Sequence, residues 1–313
     1  MKAAESATRL FFSTLGRAGA ESAELKAGEK LSAMAWSGTA ESLALTPREV
    51  QSAMSSVLSG AHALPNFTRA ELKDILANGS IKYTEKPAEL QAFNHIKTGV
   101  IQTRSGEAVP IIERTLSPVK AQIEMKAASI SEMMTFNNYT PVTVLRKPDI
   151  VIQQRMGLSL EDLAAQADRR LFGAAKEWDY STVPASFSNY LKNSPHFRRQ
   201  LEQTQVQRGI LGDFDSTPAN FAAALRNKQV AVGNLDMNQA FELVAKPAAP
   251  NMISLQGLFF SNKTYSAVDK FAQFQKSSRG AELLKATGAT ADELHFMNLR
   301  TQWFLRYQRL GPF

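Results

Sequence analysis

Two short polar segments in the second half of the chain contain residue types that could bind a metal ion and orient a hydroxyl group. In segment 211–221, Asp215 and Asn220 are five residues apart. In segment 229–241, Asp236 directly follows a β-like apolar run. Carboxylate and amide oxygens are suitable ligands for Mg²⁺, and phosphoryl transfer needs such ligands together with an acid that orients the accepting hydroxyl. These residues therefore favour phosphoryl-transfer chemistry.

Two alternatives apply to the first segment. Asp213 is a further carboxylate there, but it lies seven residues before Asn220 instead of five. Asp215 and Asn220 could also be turn formers around Pro218, because Asp and Asn side chains often hydrogen-bond the backbone in such loops. The additional presence of Asp236 after a strand-like run makes the catalytic interpretation preferable.

The residues upstream of these segments predict a small sheet with one helix inserted. β-branched runs at 95–103 and 108–114, separated by a turn-forming Arg-Ser-Gly-Glu sequence, predict a β-hairpin. Ser117 and Pro118 predict a helix start, and that helix should extend to about Phe136. Apolar runs at 141–145 and 150–154 predict two more strands.

The remainder of the chain predicts mostly helices. Helical patterns cover the residues after Met156 as far as Arg208, with a break at Ser194 and Pro195, and they return from about 264 to 310. This order predicts an α+β, two-lobed architecture, with a small lobe at about 91–156 and a large lobe at about 157–313. Residues 1–90 are expected to form a helical N-terminal region.

The N-terminal region contains two helix starts and a weak targeting pattern. Thr46 and Thr68 are each followed three residues later by Glu, which predicts capping boxes that open amphipathic helices. The apolar patch at 10–12 is too short for a secretory signal. The Ala- and Ser-rich sequence up to about Ser55 is similar to the leaders of effectors delivered by bacterial injection machines, and a frayed terminus is the simpler alternative.

Composition excludes several classes of site. The chain has no cysteine, which removes disulfides, thiolate zinc sites and cysteine nucleophiles. Its 36 basic and 29 acidic residues give a net charge of +7, but the basic residues are scattered, so nucleic-acid binding is not indicated. Segment 300–309 combines Arg and aromatic residues at a spacing that fits an amphipathic closing helix better. No apolar run approaches the roughly 20 residues of a membrane span.

The two polar segments resemble motifs of the protein-kinase-like superfamily. One motif consists of Asp215, four intervening residues, Asn220 and then Phe221. This motif is similar to the loop of HipA-type toxin kinases. Segment 236–241 is similar to the Asp-Asn-Gly-x-Ala-Phe element of phosphatidylinositol 4-kinase-like proteins, with Asn or Gln in place of the glycine. The resemblance implies a two-lobed protein-kinase-like fold with ATP and Mg²⁺ as cofactors. It also implies that Asp215 is the catalytic base, and that Asn220 and Asp236 are metal ligands.

Upstream segments resemble the same family in the same order. Segment 123–131 followed by 139–144 is similar to the family's helix, in which a Glu precedes Ala-Ala and then a Pro-Thr-Val strand. The resemblance implies that Glu124 partners the ATP-binding cation, with Glu132 as the alternative. Segment 149–163 resembles a hinge and the helix after it, so Gln154 and Met156 are expected near the adenine.

The identity of the ATP-binding cation stays open among three residues. Lys97 is on a predicted strand but far before Glu124, and Lys120 is close but expected within the helix. Arg114 is on a strand at a spacing that suits Glu132. The complete glycine-rich motif and the His-Arg-Asp sequence of many kinases are both missing, so a kinase-like protein without catalysis is also considered.

Two functions follow as hypotheses. The first is an ATP- and Mg²⁺-dependent kinase that phosphorylates Ser or Thr of a protein substrate, which could belong to a host cell. Such a protein would be a bacterial effector or toxin, secreted by a non-Sec route or retained in the bacterial cytoplasm. The alternative is a non-catalytic interaction protein, either a pseudokinase or a helical effector scaffold. The oligomeric state is left open.

Overall fold

The computed structural model describes residues 47–58, 64, 66–85, 95–134, 136, 138–172, 194–213, 215, 218–226, 229–245 and 260–309. Residues 1–46, which contain most of the predicted leader and include Thr46, lie outside these residues. The described helices are α1 (Pro47–Val57), α2 (Arg69–Asn78), α3 (Pro118–Met133), α4 (Leu160–Phe172), α5 (Pro195–Leu211), α6 (Asn262–Lys276), α7 (Ser278–Ala286) and α8 (Ala291–Tyr307). The described strands are β1 (Ile81–Thr84), β2 (Ile96–Gln102), β3 (Ala108–Thr115), β4 (Thr143–Lys147), β5 (Ile150–Gln154), β6 (Leu158–Ser159), β7 (Phe221–Arg226) and β8 (Gln229–Asn234), with a 3₁₀ turn at Pro218–Asn220.

Five strands form an antiparallel sheet in the order β1-β2-β3-β5-β4. The predicted hairpin is confirmed as β2 and β3, which pair from Ile96 opposite Arg114 to Gln102 opposite Ala108. Strand β1 pairs with β2, so the predicted boundary near residue 90 falls inside this sheet. The predicted mixed helix and sheet class is confirmed.

Two helices cover the five-stranded sheet. Leu72 and Leu76 of α2 pack with Ile101, Ile111 and Ile152 of the sheet in one apolar cluster. Helix α3 connects β3 to β4, and it begins where predicted, with the Ser117 side chain capping the amide of Lys120. Its buried face is mostly small and apolar but includes Glu124, which is a costly residue to bury without a partner.

Helix α5 is the central helix of the second half of the chain. It is buried along Gln200–Leu211 although its sequence is rich in glutamine. Two of these glutamines bond β8: Gln200 accepts from the amide of Val232 at 2.7 Å, and Gln207 accepts from the side chain of Asn234 at 2.8 Å. Polar side chains thus lock α5 to the three-stranded sheet β6-β7-β8.

The C-terminal helices complete the larger apolar core. Helix α8 buries Met297, Arg300, Thr301 and Phe304, which confirms an amphipathic helix in the region that contains segment 300–309. Helix α1 belongs to the same core through Met54 and Leu58, together with residues of α4 and α5. Across the residues that the structure describes, no helix combines the length and apolarity that crossing a membrane requires.

Candidate active site

A buried cluster of three charged side chains joins the five-stranded sheet, α3 and the loop after β8. Arg114, near the end of β3, places its Nη2 2.6 Å from Oε1 of Glu124 on α3. Its Nη1 lies 2.9 Å from Oδ1 of Asp236, two residues after β8. The side chains of Arg114 and Glu124 are 4% and 0% exposed, whereas that of Asp236 is 37% exposed. One guanidinium therefore connects a fully buried carboxylate to one that reaches solvent.

Burial and pairing act in opposite directions on these groups. Burial raises the pKa of Glu124, Arg114 opposes that shift, and the charge of Asp236 adds to it. Burial alone would lower the pKa of Arg114, but the carboxylates of Glu124 and Asp236 outweigh burial and raise it. The guanidinium consequently stays charged at any physiological pH.

The loop that carries Asp215 and Asn220 starts where α5 ends. Gly212 ends the helix in the left-handed conformation, with φ of 71°. The side chain of Asp213 then accepts from the amide of Asp215 at 3.0 Å, and Nδ2 of Asn220 donates to the carbonyl of Asp215 at 2.8 Å. The loop is therefore closed by its own polar residues, as expected for turn formers.

A buried arginine ties this loop to the Asp236 loop. Arg208 of α5 has a fully buried side chain, and its Nη2 lies 2.9 Å from the carboxylate of Asp213. Its guanidinium also donates to four carbonyl oxygens, those of Asp215 (2.7 Å), Asn220 (3.2 Å), Leu235 (2.7 Å) and Asp236 (3.2 Å). Arg208 was not predicted from the sequence as a site residue. The one sequence feature that could have indicated it is its position as a charged residue shortly before the polar loop.

Asp213 is a buried carboxylate of this loop with a raised pKa. Burial raises its pKa to about 6, against the opposing effects of Arg208 and of the hydrogen bond from the amide of Asp215. Because the side chain is 1% exposed and held by Arg208 and Asp215, it organises the loop from inside. Asp215 is partly exposed, so it is the better candidate for contact with a substrate.

The β7–β8 hairpin brings Asn220 next to Asp236. Phe221 pairs with Asn234, and the amide of Leu235 donates to the carbonyl of Asn220 at 2.8 Å. Asp236 then adopts φ of 44°, a left-handed conformation that is unusual outside glycine but tolerated by Asp. Asn238 hydrogen-bonds Oδ1 of Asp236.

Asp215 approaches the same loop from the other side. Its Oδ2 lies 3.4 Å from Nε2 of Gln239, which is three residues after Asp236. The predicted catalytic residue and both predicted metal ligands, Asn220 and Asp236, are therefore held on two adjoining loops. The side chain of Asp236 is 37% exposed, so its carboxylate is accessible to a cation.

The donor set suits magnesium better than zinc. No group of three or more His, Cys, Asp or Glu side chains that could hold a metal occurs within the described part of the chain. Mg²⁺ is nevertheless often held by one or two protein oxygens when substrate phosphates and water supply its remaining ligands, and Asp236 and Asn220 offer a carboxylate and an amide oxygen. The loops thus fit Mg²⁺ bound together with a phosphorylated molecule.

Two predicted cofactor residues, Lys97 and Lys120, are not part of the cluster. Lys97 pairs in register with Glu113 and lies 3.2 Å from its carboxylate. Since successive strand residues point to opposite faces, Glu113 and Lys97 lie on the face opposite to Arg114. Lys120 is exposed in the first turn of α3. Arg114, the third candidate, is the cation that contacts Glu124. The cofactor-binding roles of Lys97 and Lys120 stay predictions.

Glu124 and Glu132, the two candidate partners of the ATP-binding cation, have different contacts. Glu132 lies 2.9 Å from Arg69 and 2.7 Å from Lys73, both on α2. These two cations outweigh the effect of burial and lower the pKa of Glu132. Glu132 therefore connects α3 to α2, and Glu124 is the residue that faces Arg114.

The predicted adenine-binding residues have buried side chains. Gln154 accepts a hydrogen bond from the hydroxyl of Tyr139 at 2.6 Å and is fully buried. Met156 packs with Ala222, Ala224 and Ala231 beneath the three-stranded sheet. A nucleotide base at this segment would consequently meet backbone groups instead of these side chains.

Comparisons with known proteins give only a distant likeness. No protein-family model matches the sequence, and no curated protein matches it. A solved structure described as the FAT and kinase domain of CtTel1 is 10% identical with a TM-score of 0.42, covering 86% of this chain and 27% of that one. The complete CtTel1 dimer is 10% identical with a TM-score of 0.42, covering 86% of this chain and 14% of that one. The open conformation of CtTel1 is 12% identical with a TM-score of 0.38, covering 90% of this chain and 15% of that one. The chain thus spans 27% or less of these proteins, and a likeness this weak assigns it to no family.

Proposed function

We propose that this protein is an ATP- and Mg²⁺-dependent phosphotransferase with a protein-kinase-like site. The observation that carries the proposal is the buried contact of Arg114 with both Glu124 and Asp236. An ion pair with a purely structural role needs only one cation and one carboxylate. Here the cation also holds a third residue, which is partly exposed and lies beside the loop of Asp215 and Asn220.

The order of the parts supports this proposal. Protein kinases use a cation on the third strand, a Glu on the helix that follows it, a loop with an Asp and an Asn, and a metal-binding Asp. In this chain, β3 supplies Arg114, α3 supplies Glu124, and the two later loops supply Asp215, Asn220 and Asp236. Arginine in place of lysine provides two nitrogens in a fixed plane, which explains how it contacts two carboxylates at once.

Each residue then has a defined role. Asn220 and Asp236 would hold Mg²⁺, which neutralises charge on the transferred phosphoryl group. Asp215 would accept a hydrogen bond from the acceptor hydroxyl and orient it towards that group. Glu124 would keep Arg114 in place, and Arg208 would keep the two loops together. The proposed acceptor is a Ser or Thr hydroxyl of a protein, and we extend the proposal to a bacterial effector that acts in a host cell.

The test measures nucleotide binding and phosphoryl transfer separately. Calorimetry with Mg-ATP on the full chain should give a Kd that Asp236→Asn weakens at least tenfold. Asp215→Asn should keep the Kd but lower the rate of autophosphorylation or ATP hydrolysis by about 10²- to 10⁴-fold, since general bases contribute that much. Asp74→Asn, on the exposed face of α2, is the matched control. Absence of Mg-ATP binding to the unaltered protein would overturn the proposal.

A second function is favoured by one observation. Arg114 is 4% exposed and is already engaged by two carboxylates, which limits its reach towards phosphates. A protein that binds nucleotide without transferring phosphate would have such an arrangement. Tight Mg-ATP binding together with transfer and hydrolysis rates that Asp215→Asn leaves unchanged would establish this second function in place of the first.

A further inference from the structure

A cationic cavity lies at the junction of α5, α6 and the β7–β8 hairpin. Its volume is about 380 Å³, and its lining includes Tyr139, His196, Arg199, Gln200, Arg226 and Lys263. None of these residues belongs to the candidate active site. The volume is within the range of about 300–1,000 Å³ that is usual for small-molecule sites.

The charge of the cavity is of one sign. Arg199 comes from α5, Arg226 from the end of β7 and Lys263 from the first turn of α6. No acidic residue lines the cavity among the residues described, and within that same set none of the three cations has a carboxylate partner. Like charges that converge from three separate elements repel one another, so an anion in the cavity would relieve that repulsion.

A nearby carboxylate does not neutralise these cations. Glu202 of α5 is 2% exposed and pairs with Arg198 at 3.3 Å. Its other oxygen accepts hydrogen bonds from Ser261 and Thr264 at the start of α6, both at 3.0 Å. The charge of Glu202 is therefore compensated locally, and the cavity stays positive.

The walls of the cavity are held in place by hydrogen bonds. Gln200 contacts His196 at 2.6 Å and accepts from the amide of Val232. The guanidinium of Arg226 lies 5.6 Å from the centre of the Tyr139 ring, and Tyr139 donates to Gln154. Because these contacts hold the wall formed by Gln200, Tyr139 and Arg226 before any ligand enters, binding would require little reorganisation of that wall.

We propose that this cavity binds a small molecule that carries two or more phosphate groups. Arginine recognises phosphate through paired N–H donors, and lysine adds a point charge. Three cations on separate elements match a ligand with several anionic groups better than one with a single charge. Because the lining offers no carboxylate for a metal, binding should not require Mg²⁺, unlike binding at the Asp236 loop.

The test uses sodium tripolyphosphate and inorganic phosphate as probes, titrated into the full chain by calorimetry in EDTA. Tripolyphosphate should bind at least tenfold more tightly than inorganic phosphate. Each of Arg199→Gln, Arg226→Gln and Lys263→Gln should weaken tripolyphosphate binding about tenfold, since charge-assisted hydrogen bonds are worth that much. Lys270→Gln, which removes an exposed charge two turns further along α6, is the matched control and should not change the Kd.

Two results would overturn the proposal. Equal weakening by Lys270→Gln and Lys263→Gln would show that only net charge matters, and equal affinity for the two probes would exclude a ligand with several phosphates. The Asp236→Asn variant should bind tripolyphosphate normally, which separates this site from the nucleotide site.

His196 gives a second measurement that needs no variant. Burial, and next the charge of Arg199, lower its pKa, and the cavity also places it near Arg226, Lys263 and Tyr139. An anion among these cations favours the protonated imidazole, so tripolyphosphate should raise the pKa of His196 in an NMR titration. His295, on α8, serves as the reference. An unchanged pKa of His196 at saturating tripolyphosphate would place the anion elsewhere.

Discussion

Arg114 shows how a buried cation can be stabilising and vulnerable at the same time. Removing a charge from water costs several kcal/mol, and only good geometry with partners of opposite charge offsets that cost. Glu124 and Asp236 provide two such partners, at 2.6 and 2.9 Å. Loss of Arg114 would leave the carboxylate of Glu124 buried without its cation.

A double-mutant cycle tests this dependence. Arg114→Met leaves Glu124 buried without its cation and should lower the free energy of unfolding by about 3 kcal/mol or more. Glu124→Gln should cost less, because Arg114 keeps Asp236. The double variant should be more stable than the sum of the single effects by about 1–3 kcal/mol in urea unfolding at pH 7. Additive effects would show that the two side chains do not interact.

Asp213 predicts a pH dependence of stability. Its folded-state pKa of about 6 is above the ordinary 3.8, so the folded protein holds this proton more tightly than the unfolded chain. The group's contribution to stability is therefore complete below pH 4 and is lost as pH rises to about 6. The difference between the two pKa values corresponds to about 3 kcal/mol in the free energy of unfolding.

The measurement compares unaltered protein with Asp213→Asn in urea unfolding between pH 4 and 7. Asn carries no titrating proton, so the gap in unfolding free energy between the two proteins should shift by about 3 kcal/mol in favour of the variant as pH rises. Parallel curves over this range would contradict the raised pKa.

Spacing along the chain anticipated part of the site but not its cation. Asp215, Asn220 and Asp236 could be singled out because a loop and a hairpin turn place them within short sequence distance. The choice among Lys97, Lys120 and Arg114 depended on which face of β3 meets α3. Strand pairing determines that face. The contact between β3 and α3 is tertiary, so the sequence pattern alone did not identify Arg114 as the cation.

At the level of elements, the end of α5 is closely packed against α8. Gly212 has φ of 71°, and a Cβ there would lie 2.7 Å from Cζ of Arg300. Arg300 itself donates to the carbonyls of Ile210, Glu242 and Val244, with burial lowering its pKa to about 10. The helix end, α8 and the residues after the Asp236 loop are therefore packed at one point.

Gly212→Ala should be distinctly more destabilising than the same change at Gly288. Gly288 follows α7 with φ of 84° and has no neighbour within 4 Å of its would-be Cβ, so Gly288→Ala reports backbone strain alone, about 1 kcal/mol. Gly212→Ala adds the clash with Arg300 and should cost about 1–3 kcal/mol more in urea unfolding. Equal costs would show that Arg300 moves aside freely.

Local pattern predicted most element starts and ends but not the glutamine-rich helix as the buried centre. The capping residues Ser117 and Thr68 lie where the sequence placed helix starts, and Ser194 caps α5 at the predicted break. Helix α5 lacks an apolar stripe, so its complete burial could not be inferred. Two of its glutamines, Gln200 and Gln207, find partners on β8, and that pairing is tertiary.

On the scale of the whole molecule, α3 is held from two sides. Glu132 binds Arg69 and Lys73 of α2, and Lys126 lies 2.6 and 2.7 Å from the two oxygens of Glu293 on α8. The ammonium of Lys126 also lies 4.7 Å from the ring centre of Phe241, five residues after Asp236. The position of Glu124 on α3 thus depends on distant parts of the chain.

The two connections should differ in strength. The side chains of Lys126 and Glu293 are 12% and 15% exposed, so Lys126→Met should lower the free energy of unfolding by about 1–3 kcal/mol. Lys73 is 47% exposed, and Lys73→Met should cost under about 1 kcal/mol because water screens the pair. Urea unfolding of both variants at low and high salt is the measurement. A larger loss for Lys73→Met would reverse the assignment of α8 as the stronger support.

Arg208 restricts which small molecules the site can accept. An outward swing of the Asp236 loop would remove its contacts with the carbonyls of Leu235 and Asp236. Each acceptor withdrawn from a fully buried guanidinium costs about 1–3 kcal/mol. Inhibitors that work by inserting behind a displaced loop should therefore bind this protein poorly. Compounds that fill the space in front of Asp236 while leaving its contact with Arg114 intact are the better starting point for a chemical probe.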